Sequence, residues 1–128
     1  MRKAFNSKTV SASGPYSHAV DTGDFVYLSG QTAKNTGSQT TSEDSKEDIT
    51  SQTKQCFINL QSVLDEVDLD ESNVVKVNVF LTSMDYFAEM NEVYQTFFSE
   101  PYPARTCVAV KELPLGADVE IELIAKRK

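Results

Sequence analysis

The sequence predicts an α+β fold: a mixed β-sheet covered on one face by two helices, in the order β-β-α-β-α-β-β. Three observations carry this prediction. Apolar residues recur every three or four positions in two separate stretches, the period of amphipathic helices. Short runs that alternate or are rich in valine and isoleucine flank both stretches, the pattern of strands. Helices and strands interleave along the chain, which requires crossover connections and therefore a sheet of mixed direction.

The elements follow in order. Gly14-Pro15-Tyr16-Ser17-His18-Ala19-Val20 begins as a turn and continues extended. Asp21-Thr22-Gly23-Asp24 is turn chemistry, and Phe25 to Ser29 is a strand that Gly30 ends, so the two form an antiparallel hairpin. Residues 35–45 are polar and aperiodic and read as an exposed loop. Ile49, Thr53, Cys56, Leu60, Val63, Leu64 and Val67 then mark one helix face, with Asp44–Glu47 or Ser45–Asp48 as the capping pair. Val74 to Leu81 is a strand with Val75, Val77, Val79 and Leu81 on one side and Val74 and Phe80 on the other. Phe87, Met90, Tyr94 and Phe97 form the stripe of a second helix, capped by Ser83 or Asp85 and stopped by Pro101. Two closing strands run through 103–110 and 116–125. The uncovered face of this sheet, carrying Ser29, Asn78 and Thr106, fits packing against another subunit better than open water.

A chain of 128 residues suits one domain spanning 1–128, which buries roughly two-thirds of its unfolded surface without staples. Two cysteines, Cys56 and Cys107, are too few for a disulfide scaffold and have no metal-ligand spacing around them. No apolar run approaches the ~20 residues of a membrane span, and the first residues lack the apolar core of a signal peptide. A reduced, cytoplasmic protein is expected. The net charge of −7 argues against a dedicated nucleic-acid binder, whose affinity comes from neutralising phosphates. There is no phosphate loop, zinc motif or Gly-x-Ser-x-Gly elbow.

Arg105 is the residue that asks for chemistry. It stands in Pro103-Ala104-Arg105-Thr106-Cys107-Val108, a strand in which Arg105 and Cys107 share a side. A guanidinium among small apolar neighbours is costly to desolvate unless an anion satisfies it, and its planar fork matches a carboxylate bidentately. Glu120 and Glu122 alternate with apolar residues on the closing strand. A cation and a carboxylate on what read as neighbouring strands suggest a site for a small carboxylic acid; an Arg–Glu pair bridging the strands is the other reading. Other residues have structural readings beside functional ones. Tyr16 packs on the hairpin or lines a site. The Gly30 N–H after Ser29 makes a turn or meets a ligand oxygen. Asn91 is a solvated helix residue or a hydrogen-bonder, and Cys107 a small hydrophobe or a thiol activated by Arg105. His18, the single histidine, has no serine or cysteine placed to form a catalytic pair.

Taken together, Gly14-Pro15-Tyr16-Ser17, Leu28-Ser29-Gly30-Gln31, Val77 to Leu81, Phe87 to Tyr94, Pro103-Ala104-Arg105-Thr106 and Glu120-Ile121-Glu122-Leu123-Ile124-Ala125 resemble the RidA/YjgF family, also described as endoribonuclease L-PSP and translation inhibitor. The likeness covers nearly the whole chain. It implies a chorismate-mutase-like fold assembled as a homotrimer with clefts between subunits. It also implies deamination of enamines and imines released by pyridoxal-phosphate enzymes, giving 2-keto acids and ammonia without cofactor or metal. On this resemblance Arg105 binds the substrate carboxylate, and Glu120 positions water and relays a proton. Gly30 and the Cys107 backbone contact substrate or water, while Tyr16, Ser29 and Asn91 line the cleft. Two departures stand out: His18 replaces a common glutamine, and residues 32–37 lack the usual Ile-Pro. The alternatives are a non-catalytic carboxylate-binding or chaperone-like regulator, and an endoribonuclease that inhibits translation.

Overall fold

A computed structural model describes residues 2–8, 10–12, 14–34 and 48–128. Six strands form one sheet: β1 (Lys3–Phe5), β2 (Ala19–Asp21), β3 (Phe25–Thr32), β4 (Val74–Leu81), β5 (Ala104–Ala109) and β6 (Val119–Lys126). Two helices, α1 (Ile49–Glu66) and α2 (Phe87–Phe97), follow β3 and β4. The spatial order is β1-β2-β3-β6-β4-β5. All pairings are antiparallel except β4 with β5, the parallel pair that the α2 crossover requires.

The helical period is realised on α1. Ile49, Thr53, Cys56, Leu60, Val63, Leu64 and Val67 are all buried, and all but Thr53 lie in one cluster with the inward row of the sheet, Val26, Leu28, Val77, Val79, Leu81, Ile121, Leu123 and Ala125. Each fully buried leucine in this layer is worth roughly 1.5–3 kcal/mol relative to an exposed one. Asp48 itself is the N-cap of α1: its carboxylate accepts from the Ser51 amide at 2.7 Å. The alternatives at Asp44, Ser45 and Glu47, like the expected 35–45 loop, fall outside the described residues. Ser83 caps a short turn (Met84–Tyr86) that leads into α2.

Four expectations need correction. A first strand, β1, precedes the predicted hairpin and pairs with β2. Gly30 does not end β3; the strand continues to Thr32 through an irregularity between Leu28 and Gln31. A second irregularity between Val74 and Lys76 reverses the start of β4, so Val74 is buried and Val75 is 40% exposed. Finally, β5 and β6 are not neighbours, because β4 lies between them.

Cross-strand registers define what each face carries. Leu28, Leu123, Val77 and Arg105 form one row on the helix side, and Gln31, Ile121, Val79 and Cys107 the next. On the opposite face the rows are Tyr27–Ile124–Lys76, then Glu122–Asn78–Thr106, then Glu120–Phe80–Val108. Tyr27 and Val108 are 47% and 41% exposed, so large apolar groups flank two carboxylates on this uncovered face.

Candidate functional site

The site residues fall into two groups, built by different elements. The first surrounds Arg105. Phe87, Asn91 and Tyr94 are spaced i, i+4, i+7 on α2 and therefore form one stripe, which lies over the edge strand β5. Arg105 Nη1 donates to Asn91 Oδ1 at 2.6 Å. Its guanidinium carbon stands 4.6 Å from the centroid of the Tyr94 ring and 5.4 Å from that of Phe87. Among the described residues no carboxylate pairs with it; the ion pair present there joins Arg127 to Asp21. Arg105 is thus half-buried, fixed by a neutral acceptor and two aromatic rings, with the rest of its fork facing a cleft of about 320 Å³ lined by Asn91, Tyr94, Gln95, Tyr102 and Pro103. Cys107, on the same side of β5, is half-buried; burial pushes its thiol pKa up, and the Arg105 charge pulls against that shift. An inert thiol fits this balance better than a reactive one.

A larger cavity, about 570 Å³, lies between α1 and α2 over the stacked Phe57 and Phe97 rings. Its polar lining, Lys54, Gln61, Ser62 and Asp65 among them, follows the rim of α1. The smaller cleft is the candidate site because a held cation without a carboxylate partner among the described residues faces it.

The second group lies on the uncovered face. Glu120 on β6 sits against the backbone of β3 at Gly30, where a methyl group in place of the glycine hydrogen would stand 2.7 Å from the Glu120 Oε2 atom and 2.9 Å from its carboxyl carbon. Only glycine leaves room for that carboxylate. Burial raises the Glu120 pKa, and the nearby Glu122 charge raises it further. Glu122 is held apart by Asn78, whose Nδ2 donates to Oε2 at 2.9 Å. Glu122 is tied in that hydrogen bond, and Glu120 keeps its proton to higher pH than an ordinary glutamate. Beside them, Ser29 Oγ donates to the Ser17 carbonyl at 2.6 Å and the Ser29 amide to the His18 carbonyl at 2.9 Å. Tyr16 is 37% exposed on the same connection.

One chain does not bring the two groups together. Arg105 shares its row with Val77 and Leu123 on the helix side, whereas Glu120 shares its row with Phe80 on the other side. Arg105 and Asn91 are joined on the helix side, with Cys107 along the same strand, and Gly30 and Glu120 meet on the other face, with Ser29 beside Gly30 and Tyr16 on the connection before it. Sequence reasoning missed Phe87 and Tyr94 as the aromatic seat of the cation. Tyr94 resembled ordinary core, although Asn91 interrupting an apolar stripe beside it was the available clue. His18 is buried and bonded on both ring nitrogens, consistent with a non-catalytic reading. Among the described residues no group of three metal-ligating side chains is assembled, and no helix is long and apolar enough to cross a membrane.

Comparison with known proteins agrees with this architecture. The family described as "Endoribonuclease L-PSP" matches residues 6–127. A protein of Dermatophagoides farinae named 2-iminobutanoate/2-iminopropanoate deaminase is 43% identical over 111 residues, 87% of this chain and 84% of its own length. "Protein mmf1, mitochondrial" of Schizosaccharomyces pombe is 42% identical over 123 residues, 94% of this chain and 73% of its own. The crystal structure of E. coli TdcF with bound serine superposes with a TM-score of 0.85 at 34% identity, covering 98% of this chain and 99% of that one.

Proposed function

The chain belongs to the RidA/YjgF/L-PSP family, and from that premise we propose that it hydrolyses reactive enamines and imines to 2-keto acids and ammonia, with 2-iminobutanoate and 2-iminopropanoate as substrates. The observation that carries this reading is Arg105: a guanidinium held by Asn91, Tyr94 and Phe87, without a carboxylate among the described residues, and facing a cleft. Such a fork binds the carboxylate of a 2-imino acid bidentately.

The chemistry needs little more. An iminium carbon is already electrophilic. Water adds its oxygen to that carbon, the C–N bond breaks, and the nitrogen leaves with the transferred protons, so that the iminium and one water give the keto acid and ammonium. Glu120, with its raised pKa, takes a proton from the attacking water and returns one to the departing nitrogen. The Gly30 N–H and the Cys107 backbone orient substrate and water, and Tyr16 and Ser29 close the cleft. No covalent nucleophile is required.

Because the two half-sites lie on opposite faces, this mechanism requires a second copy that sets its uncovered face against the Arg105 edge of the first. A homotrimer, with three such seams, is the proposed assembly, and the cytoplasm its proposed location; the mitochondrial name of one relative makes the location a point to test. The same separation favours a second reading, a carboxylate-binding protein that never uses Glu120. A coupled assay separates the two. Threonine dehydratase generates the imine, semicarbazide competes for it, and the protein should speed 2-ketobutyrate release. Binding of 2-ketobutyrate by calorimetry, with no acceleration and a monomer by light scattering, supports the binder instead.

A further inference from the structure

We infer that His18 is a positioning residue for this site: a neutral imidazole that clamps the N-terminal segment behind Tyr16 and Ser29 and releases it on protonation. The inference rests on the proposed roles of those two residues. His18 is 2% exposed.

Its protonation state follows from its partners. The Ser7 backbone N–H lies 2.9 Å from His18 Nδ1. An amide N–H can only donate, so Nδ1 must offer its lone pair. The Ser11 carbonyl, 3.3 Å from Nε2, can only accept, so Nε2 carries the hydrogen. Both ring positions are therefore assigned, and the imidazolium is incompatible with the arrangement, since a proton on Nδ1 would face the Ser7 N–H. The titratable side chain that meets the ring is Tyr16, edge-on at 6.4 Å; the polar neighbours from the 6–11 segment are Asn6, Ser7 and Ser11. Among these contacts there is no carboxylate to stabilise a cation.

The clamp touches two residues of the site, Ser29 and Tyr16, and holds the N-terminal segment through Asn6. The His18 carbonyl accepts from the Ser29 amide, its ring supports Tyr16, and its own amide donates to Asn6 Oδ1 at 3.0 Å. Ser7 also bonds through Oγ to Ser62 on α1 at 2.6 Å, so its release loosens the segment from the helix as well. A proton on Nδ1 would take away the acceptor of the Ser7 N–H, a change that a glutamine side chain cannot undergo.

The test uses the whole chain and His18→Gln, which keeps an acceptor for Ser7 and a donor for Ser11 without titrating. The Ser7 amide protection factor, corrected for intrinsic exchange, is followed by NMR from about pH 8 to 5 beside the His18 ring resonances. Loss of Ser7 protection at the imidazole midpoint in wild type, and constant protection in H18Q, are expected. An imidazole that titrates while Ser7 stays protected overturns the inference, as does one that does not titrate in that range. Should H18Q fold poorly, the wild-type coincidence alone decides. In the imine assay, the wild-type to H18Q ratio of kcat/KM should fall by about tenfold per pH unit below the midpoint. A flat ratio with an opened clamp overturns the link to Tyr16 and Ser29. Absence of any deaminase activity would refute the proposed function, and the same ratio would then be read on 2-ketobutyrate binding.

Discussion

Replacing Gly30 with alanine should leave the fold intact and disable the proton relay. Gly30 does not adopt a left-handed φ, so alanine is conformationally permitted there. The new methyl would stand 2.7 Å from Glu120 Oε2, whereas ordinary contact begins at 3.4 Å. The difference, about 0.7 Å, is the displacement demanded of the carboxylate. The obstructing atoms are the end of a flexible side chain, so the adjustment costs stability less than roughly 1 kcal/mol. Catalysis is more exacting: a misplacement near 1 Å can cost on the order of 100-fold in rate. Gly30→Ala should therefore lower kcat by roughly one to two orders of magnitude with KM little changed, because Arg105 is untouched. The semicarbazide-competition assay reads the rate, and thermal denaturation reads the fold. A variant with the native Tm and the native kcat would refute the placement of Glu120 in the chemistry.

Three further outcomes follow from the same geometry. Arg105→Ala should weaken substrate binding by about 2–5 kcal/mol, and Arg105→Lys should recover only part of it, because a lysine lacks the fork; full activity in the alanine variant would contradict the carboxylate role. Tyr94→Leu, which removes one ring of the cation's seat, should raise KM by a free-energy equivalent of about 0.5–2 kcal/mol with kcat nearly constant. Glu120→Gln should abolish turnover yet raise the Tm at neutral pH. Folding raises the Glu120 pKa, so the penalty for ionising it grows as the pH climbs above the ordinary glutamate value and is complete once the pH passes the raised one. The gain should vanish below 4.5, the ordinary glutamate value, where the acid is protonated in both states. A Tm difference that persists in acid would assign the effect to packing instead.

The helices and most strands were legible because burial imposes a period on them. The α1 stripe is the clearest case: all seven residues that mark it are buried. What was not legible is whatever breaks a period or depends on partners distant in sequence. The three residues of β1 are too short to show alternation, and the irregularity at Val75 inverts the facing that strict alternation assigns. Strand adjacency is a long-range property. Nothing in the local composition of 104–109 or 119–126 says that β4 will separate them. The candidate residues were legible one at a time, through their types, but the face each one occupies was not. That face depends on register, which sets Arg105 opposite Val77 and Glu120 opposite Phe80.

The position of β6 has a consequence for how this molecule comes into being. The last strand of the sheet to be synthesised sits inside it, and both β3 and β4 find their antiparallel partner there. A nascent chain therefore carries two part-sheets, β1-β2-β3 and β4-β5, that cannot join until residues 119–126 have left the ribosome. Helix α1 can form earlier, but the central layer it covers cannot. Completion of the sheet is in this sense deferred until the sixth strand emerges, with the open edges of β3 and β4 exposed meanwhile to chaperones and to one another. A truncation that cuts into this strand removes the keystone rather than trimming an edge.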